Sequence, residues 1–130
     1  MDTQQAFEMA VKHLRKQGRR SLQYGAITCM YRIPESGLKC AVGALIPDEL
    51  YQESFEGVGI VRLIDTFDEI NKLFENVNFM LLEDLQTVHD HYEVTDWENE
   101  LQELSKVYGL TMPSKGELRM MTLELVRAAA

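Results

Sequence analysis

Two cysteines, a His-Asp-His triplet and a set of helical carboxylates are the side chains of this sequence with chemistry to offer. Cys29 and Cys40 are separated by ten residues and flank the turn "IPESG", so they can face each other across a hairpin. A reducing compartment keeps such a pair as thiols. A zinc site needs close ligand pairs such as Cys-x-x-Cys, and neither cysteine has one. His89 and His91 complete a Cys2His2 count without that spacing, and two residues apart they leave different faces of a helix. Cys40 as a nucleophile requires a base and an electropositive setting. Lys39 is adjacent, but no histidine can be assigned to it, so Cys40 reads as a small buried hydrophobe.

His89-Asp90 is the second candidate. His89 falls on the apolar stripe of Leu82, Leu85 and Tyr92, and Asp90 is expected to point outward. The bland reading is a hydrogen-bonded core histidine. The sharper one is the metal-dependent phosphohydrolase family named for this dipeptide, which also needs an upstream His and a downstream Asp; His13 and Asp96 are the nominees.

Carboxylates come third. Asp65, Asp68 and Glu69 share one helical face, and Glu83, Asp84 and Asp90 lie on the next helix. Carboxylate metal centres of helical bundles use Glu-x-x-His pairs aimed into the core. These acids point away from the apolar stripes, so they read as a solvated face or a docking surface for a basic protein. No metal and no cofactor is expected. "GVGIVRL" at 57–63 lacks the lysine and the preceding strand of a phosphate loop. "CAVGA" lacks the nucleophile-elbow pattern.

The elements that must position these groups are mostly helical. Residues 3–17 are predicted as a helix capped by Asp2 or Thr3 and stopped by Gly18. Phe7, Ala10, Val11 and Leu14 form its apolar face, and Lys12, Arg15, Lys16 and Arg19 the other. Residues 26–41 are predicted as the one β-hairpin, with Ile27, Cys29 and Tyr31 alternating before the turn. Tyr31 and Cys40 are expected to pack across it. Gly43 is expected to permit close approach to a neighbouring helix, and Pro47 to open the next helix. Ile60, Leu63, Ile64, Phe67, Ile70 and Phe74 predict one helix; Leu81, Leu82, Leu85, Val88 and Tyr92 predict another. Thr95 to Glu98 reads as a capping box for a helix through Trp97, Leu101, Leu104 and Tyr108. Ser114 to Glu117 reads as a second box, for a last helix with Leu118, Met121 and Leu125. The expected fold is mainly α: about five helices and one hairpin in a single domain spanning residues 1–130.

The 130 residues carry a net charge of −8, unevenly distributed. Residues 1–40 hold seven Lys/Arg against three Asp/Glu, whereas residues 41–109 hold three against sixteen. A middle of net −13 can steer a cationic partner and repel free nucleic acid. No apolar run approaches the roughly 20 residues of a membrane span, and no signal-peptide core is present, so a cytoplasmic protein is expected.

"YRIPESGLKCAVGALIPDELY" and "LLEDLQTVHDHYEVTDWENELQELSKVYGL" resemble the two shared segments of an uncharacterised family of small bacteriophage- and prophage-encoded hypothetical proteins. The resemblance covers about residues 30–108 and implies a mobile-element origin and a bacterial host, without a known activity. Within it Tyr31, Cys40, Gly43, Pro47, His89 and Trp97 read as structural. The leading expectation is a non-enzymatic inhibitor or nucleic-acid mimic. Its acidic surface (Asp65, Asp68, Glu69, Glu83, Asp84, Asp90) would bind a basic host nucleic-acid-handling or defence protein. The alternatives are a phosphohydrolase-like enzyme using His89 and Asp90, and nucleic-acid binding by the basic first helix; the second is disfavoured by the acidic whole.

Overall fold

The computed structural model describes residues 1–23 and 28–115. Among them five helices accompany one antiparallel hairpin, the mainly α architecture expected. The order is α1 (Thr3–Gln17), β1 (Arg32–Ile33), β2 (Leu38–Lys39), α2 (Ile60–Thr66), α3 (Asp68–Leu73), α4 (Phe79–His91) and α5 (Trp97–Tyr108), with short 3-10 turns at Gly43–Leu45, Glu53–Phe55 and Val94–Asp96.

α1 begins with a capping box. The Asp2 carboxylate accepts from the Gln5 backbone N–H, and the Gln5 side chain accepts from that of Asp2. Gly18 ends it in the left-handed conformation, at φ 64°. Ala6, Phe7, Ala10, Val11 and Leu14 are buried as the periodicity requires. They join Leu81, Leu82, Leu85 and Val88 of α4 and Leu101 of α5 in one apolar cluster.

The hairpin is shorter than residues 26–41. Its ladder pairs Arg32 with Lys39 and Ile33 with Leu38, and residues 24–27 lie outside those described. Beyond the ladder the Cys40 N–H still donates to the Tyr31 carbonyl (3.1 Å), while the Glu56 carboxylate accepts from the backbone N–H of Tyr31 (2.8 Å) and of Arg32 (3.1 Å). Pro47 opens a turn rather than a helix, with Leu50 and Tyr51 N–H donating to the carbonyls of Pro47 and Asp48. Arg32 pins that turn through the Asp48 carboxylate and the Ile46 carbonyl.

The single helix expected across 60–74 is two. Phe67 sits in extended backbone (φ −112°, ψ 111°), ending α2 and opening α3. The break turns its ring edge-on to Phe55, 4.7 Å between centroids. A helical Phe67 would have stayed on the stripe of Ile70 and Phe74. The box expected at Thr95 is not formed, because Thr95 already lies in a 3-10 turn and Glu98 is taken by Arg15 and Lys115. The last expected helix falls on residues outside those described.

Candidate functional site

α4 carries the chemistry. With a buried stripe of Leu81, Leu82, Leu85, Val88 and His89, it places Glu83, Gln86, Thr87 and Asp90 along one wall of a cleft of about 370 Å³. Residues 28, 29 and 31 and the loop 56–60 form the opposite wall. Three carboxylates (Glu56, Glu83, Asp90) line it, and no lysine or arginine among the described residues does.

His89, next in sequence to the cleft-lining Asp90, is wholly buried and stacked on Trp97, 5.6 Å between centroids. The Ser21 backbone N–H donates to its Nε2 at 2.9 Å, so Nε2 holds a lone pair and the proton sits on Nδ1. Nδ1–H donates to Asp90 Oδ1 at 2.6 Å. Both ring nitrogens are therefore occupied. The network continues outward: Gln86 Nε2 donates to Asp90 (3.4 Å), and Gln86 Oε1 accepts from the Val42 N–H (3.1 Å). Arg20 completes it by donating to the carbonyls of His89 (3.2 Å) and Tyr92 (2.5 Å), which closes the C-terminal end of α4.

Donor atoms of Cys29, His89 and Asp90 lie within 4.8 Å of one another, a thiol–imidazole–carboxylate set with metal-ligand chemistry. The tautomer argues against that use. To ligate through Nδ1, His89 would have to move its proton to Nε2, which then meets the Ser21 N–H head-on. His13 and Asp96 do not join the group. His13 Nε2–H donates to the Lys39 carbonyl (3.0 Å), and Asp96 ends the exposed 3-10 turn before α5. The pair named for the alternative phosphohydrolase reading is thus joined by a hydrogen bond, with His89 buried and Asp90 half-buried on the cleft wall.

The cysteines do not face each other. Cys40 lies opposite Tyr31, its N–H donating to the Tyr31 carbonyl at 3.1 Å, while Cys29 looks towards Asp90. Burial pushes the Cys29 thiol up to about 11, with the neighbouring Asp90 charge adding to it. Complete burial carries Cys40 to about 12, against the Gly43 N–H that its sulfur accepts at 3.2 Å. Neither resembles an activated nucleophile. Gly43 makes its close approach to the hairpin rather than to a helix: a Cβ there would stand 2.0 Å from the Tyr31 carbonyl oxygen. "GLKCAVGALIPDELY" is a turn segment held by contacts of Cys40, Gly43, Gln86 and Arg32.

The six carboxylates separate into two groups. Asp65, Asp68, Glu69 and Glu83 are exposed and make no ion pair among the described residues. Asp84 and Asp90 are half-buried: Asp84 accepts from the Tyr108 hydroxyl (2.5 Å), and Asp90, expected to point outward, is held by His89. Glu56, Ser21 and Arg20 escaped the sequence reading because each acts through a partner 24–72 residues away. No family model, no curated protein and no solved structure matches the chain. No described helix is long and apolar enough to cross a membrane.

Proposed function

We propose that this is a non-enzymatic interaction protein that engages a basic macromolecular surface through the exposed carboxylates of α2, α3 and α4. The observation that carries this reading is the absence, among the described residues, of any ion-pair partner for Asp65, Asp68, Glu69 and Glu83, in a chain whose residues 41–109 hold sixteen acids against three bases. A fold that spends Arg15, Arg32, Lys106 and Lys115 on other acids leaves these four to solvent or to a partner. Carboxylates spaced along helices present charge as a phosphate backbone does, and attract the same cationic grooves over a range set by salt. Read with the resemblance to phage-encoded proteins, the partner is a host nucleic-acid-handling or defence protein, and the action is competitive inhibition. The occupied nitrogens of His89 favour this over hydrolase chemistry.

The test is affinity capture from a bacterial lysate, comparing the native chain with Asp65→Asn/Asp68→Asn/Glu69→Gln/Glu83→Gln. Nucleic-acid-binding proteins are expected on the native bait at low salt, displaced by added DNA or by high salt and missing from the variant bait. A partner held equally by both baits, or indifferent to salt, would refute the reading.

A further inference from the structure

We propose that the exposed side of α1 docks a second copy of this chain, seating Lys12, Lys16 and Arg19 of one copy on Asp65, Asp68 and Glu69 of the next. Two separate features of the fold carry the inference.

The first is a cationic stripe that the structure leaves bare. Residues 12–20 hold five Lys/Arg and no acid. Arg15 is drawn to the Glu98 carboxylate and the Pro113 carbonyl, and Arg20 to the carbonyls of His89 and Tyr92. Lys12, Lys16 and Arg19 stay exposed and make no ion pair among the described residues. Lys12 and Lys16 are one turn apart on the same side of α1, and Arg19 follows just beyond the Gly18 cap.

The second is the acidic face of α2 and α3, which is equally bare. The two elements share α4 and differ in their other packing neighbours. α1 lies on the Gly43–Leu45 turn and on α4, whereas α2 lies on α3 and α4. Within one chain the two sets form no ion pair with each other. A head-to-tail contact between copies matches them sign for sign. Because the contact uses the carboxylates assigned above to the partner, the inference rests on that reading of the acidic face.

Sedimentation equilibrium tests it. At about 0.01 M salt, where screening extends roughly 30 Å, the average mass is expected to climb above 15.0 kDa as concentration rises. At about 1 M, where it extends roughly 3 Å, the mass is expected to return to 15.0 kDa. Lys12→Gln/Lys16→Gln/Arg19→Gln and Asp65→Asn/Asp68→Asn/Glu69→Gln change exposed side chains only, and each is expected to be monomeric alone. Mixed, they retain one native face of each kind and are expected to form a one-to-one pair. Native protein that stays at 15.0 kDa in low salt, or a mixture that does not pair, overturns the proposal. The two readings fail separately. A lysine-and-arginine variant that captures salt-sensitive partners, beside a native chain that never self-associates, removes only this inference. Self-association as described without any capture removes only the proposed function.

Discussion

Replacing Gly43 with alanine tests the turn segment at its tightest point. The added Cβ would lie 2.0 Å from the Tyr31 oxygen, 2.8 Å from its carbonyl carbon and 3.1 Å from its Cα. All three are backbone atoms, so no rotamer change relieves them. An ordinary C···O contact is about 3.3–3.6 Å, which means the carbonyl must retreat by more than ~1 Å. That carbonyl accepts the Cys40 N–H at 3.1 Å, and the retreat takes the bond out of range. Losing it beside buried Cys40 costs about 1–3 kcal/mol, and the overpacking itself about 1–3 kcal/mol more. The expected loss is therefore roughly 2–6 kcal/mol, a large part of the ~5–15 kcal/mol of a typical domain. With a urea slope of about 1–3 kcal/mol/M, the unfolding midpoint should fall by on the order of 1 M or more. Gly59→Ala is the control. It has open space within 4 Å and lies at φ −66°, where alanine is relaxed. Its midpoint should move little, because a weaker N-cap and a stiffer unfolded chain oppose each other at up to about 1 kcal/mol each. A Gly43→Ala protein as stable as the native chain, with an unchanged slope, would refute the close-approach reasoning.

His89→Phe keeps an aromatic ring against Trp97 but leaves the buried Ser21 N–H without its acceptor and takes the Nδ1–H donor from Asp90, which keeps Gln86. The expected loss in urea unfolding is about 2–5 kcal/mol, and a loss under about 1 kcal/mol would contradict the network. Added Zn²⁺ should raise the melting temperature of the native chain no more than that of Cys29→Ser, since the imidazole has no free lone pair. Thiol labelling at pH 8 should run on the order of 100-fold slower than for a free thiol until the chain unfolds, because Cys29 and Cys40 are pushed up to about 11 and about 12. His13 titrates below its ordinary value, first through burial and then through the nearby Lys39 and His89, against the raising effect of its Lys39 carbonyl bond. The folded state thus resists a proton that the unfolded chain accepts below about pH 6.5. The stability contributed by neutral His13 is present above that pH and lost as pH falls through the folded value. His13→Gln should flatten this part of the pH–stability curve measured by urea titration.

The helical architecture was legible because its causes are local. The 3.6-residue periodicity, the Asp2 cap and the Gly18 stop act within one or two turns, and α1 and α4 follow them closely. The single hairpin was equally legible from "IPESG", whose Gly37 takes φ 76°. What the sequence could not settle is wherever a local preference met a distant partner. Phe67 interrupts a well-patterned helix and packs edge-on to Phe55, and Glu56 accepts from the Tyr31 and Arg32 N–H groups where the short ladder ends. Pro47 turns rather than starting a helix, in a stretch that Arg32 holds. The site divided in the same way. Periodicity placed His89 on the buried stripe and four acids in solvent, which needs only the phase of a helix. Only the tertiary structure decided that the Ser21 N–H and Asp90 would occupy both ring nitrogens of His89 and that Gln86 would tie Asp90 to Val42, because hydrogen bonds across 44 and 68 residues leave no trace in local spacing. Only it decided which charges would be neutralised, because ion pairing such as that of Arg15 with Glu98 depends on the docking of helices far apart in the chain.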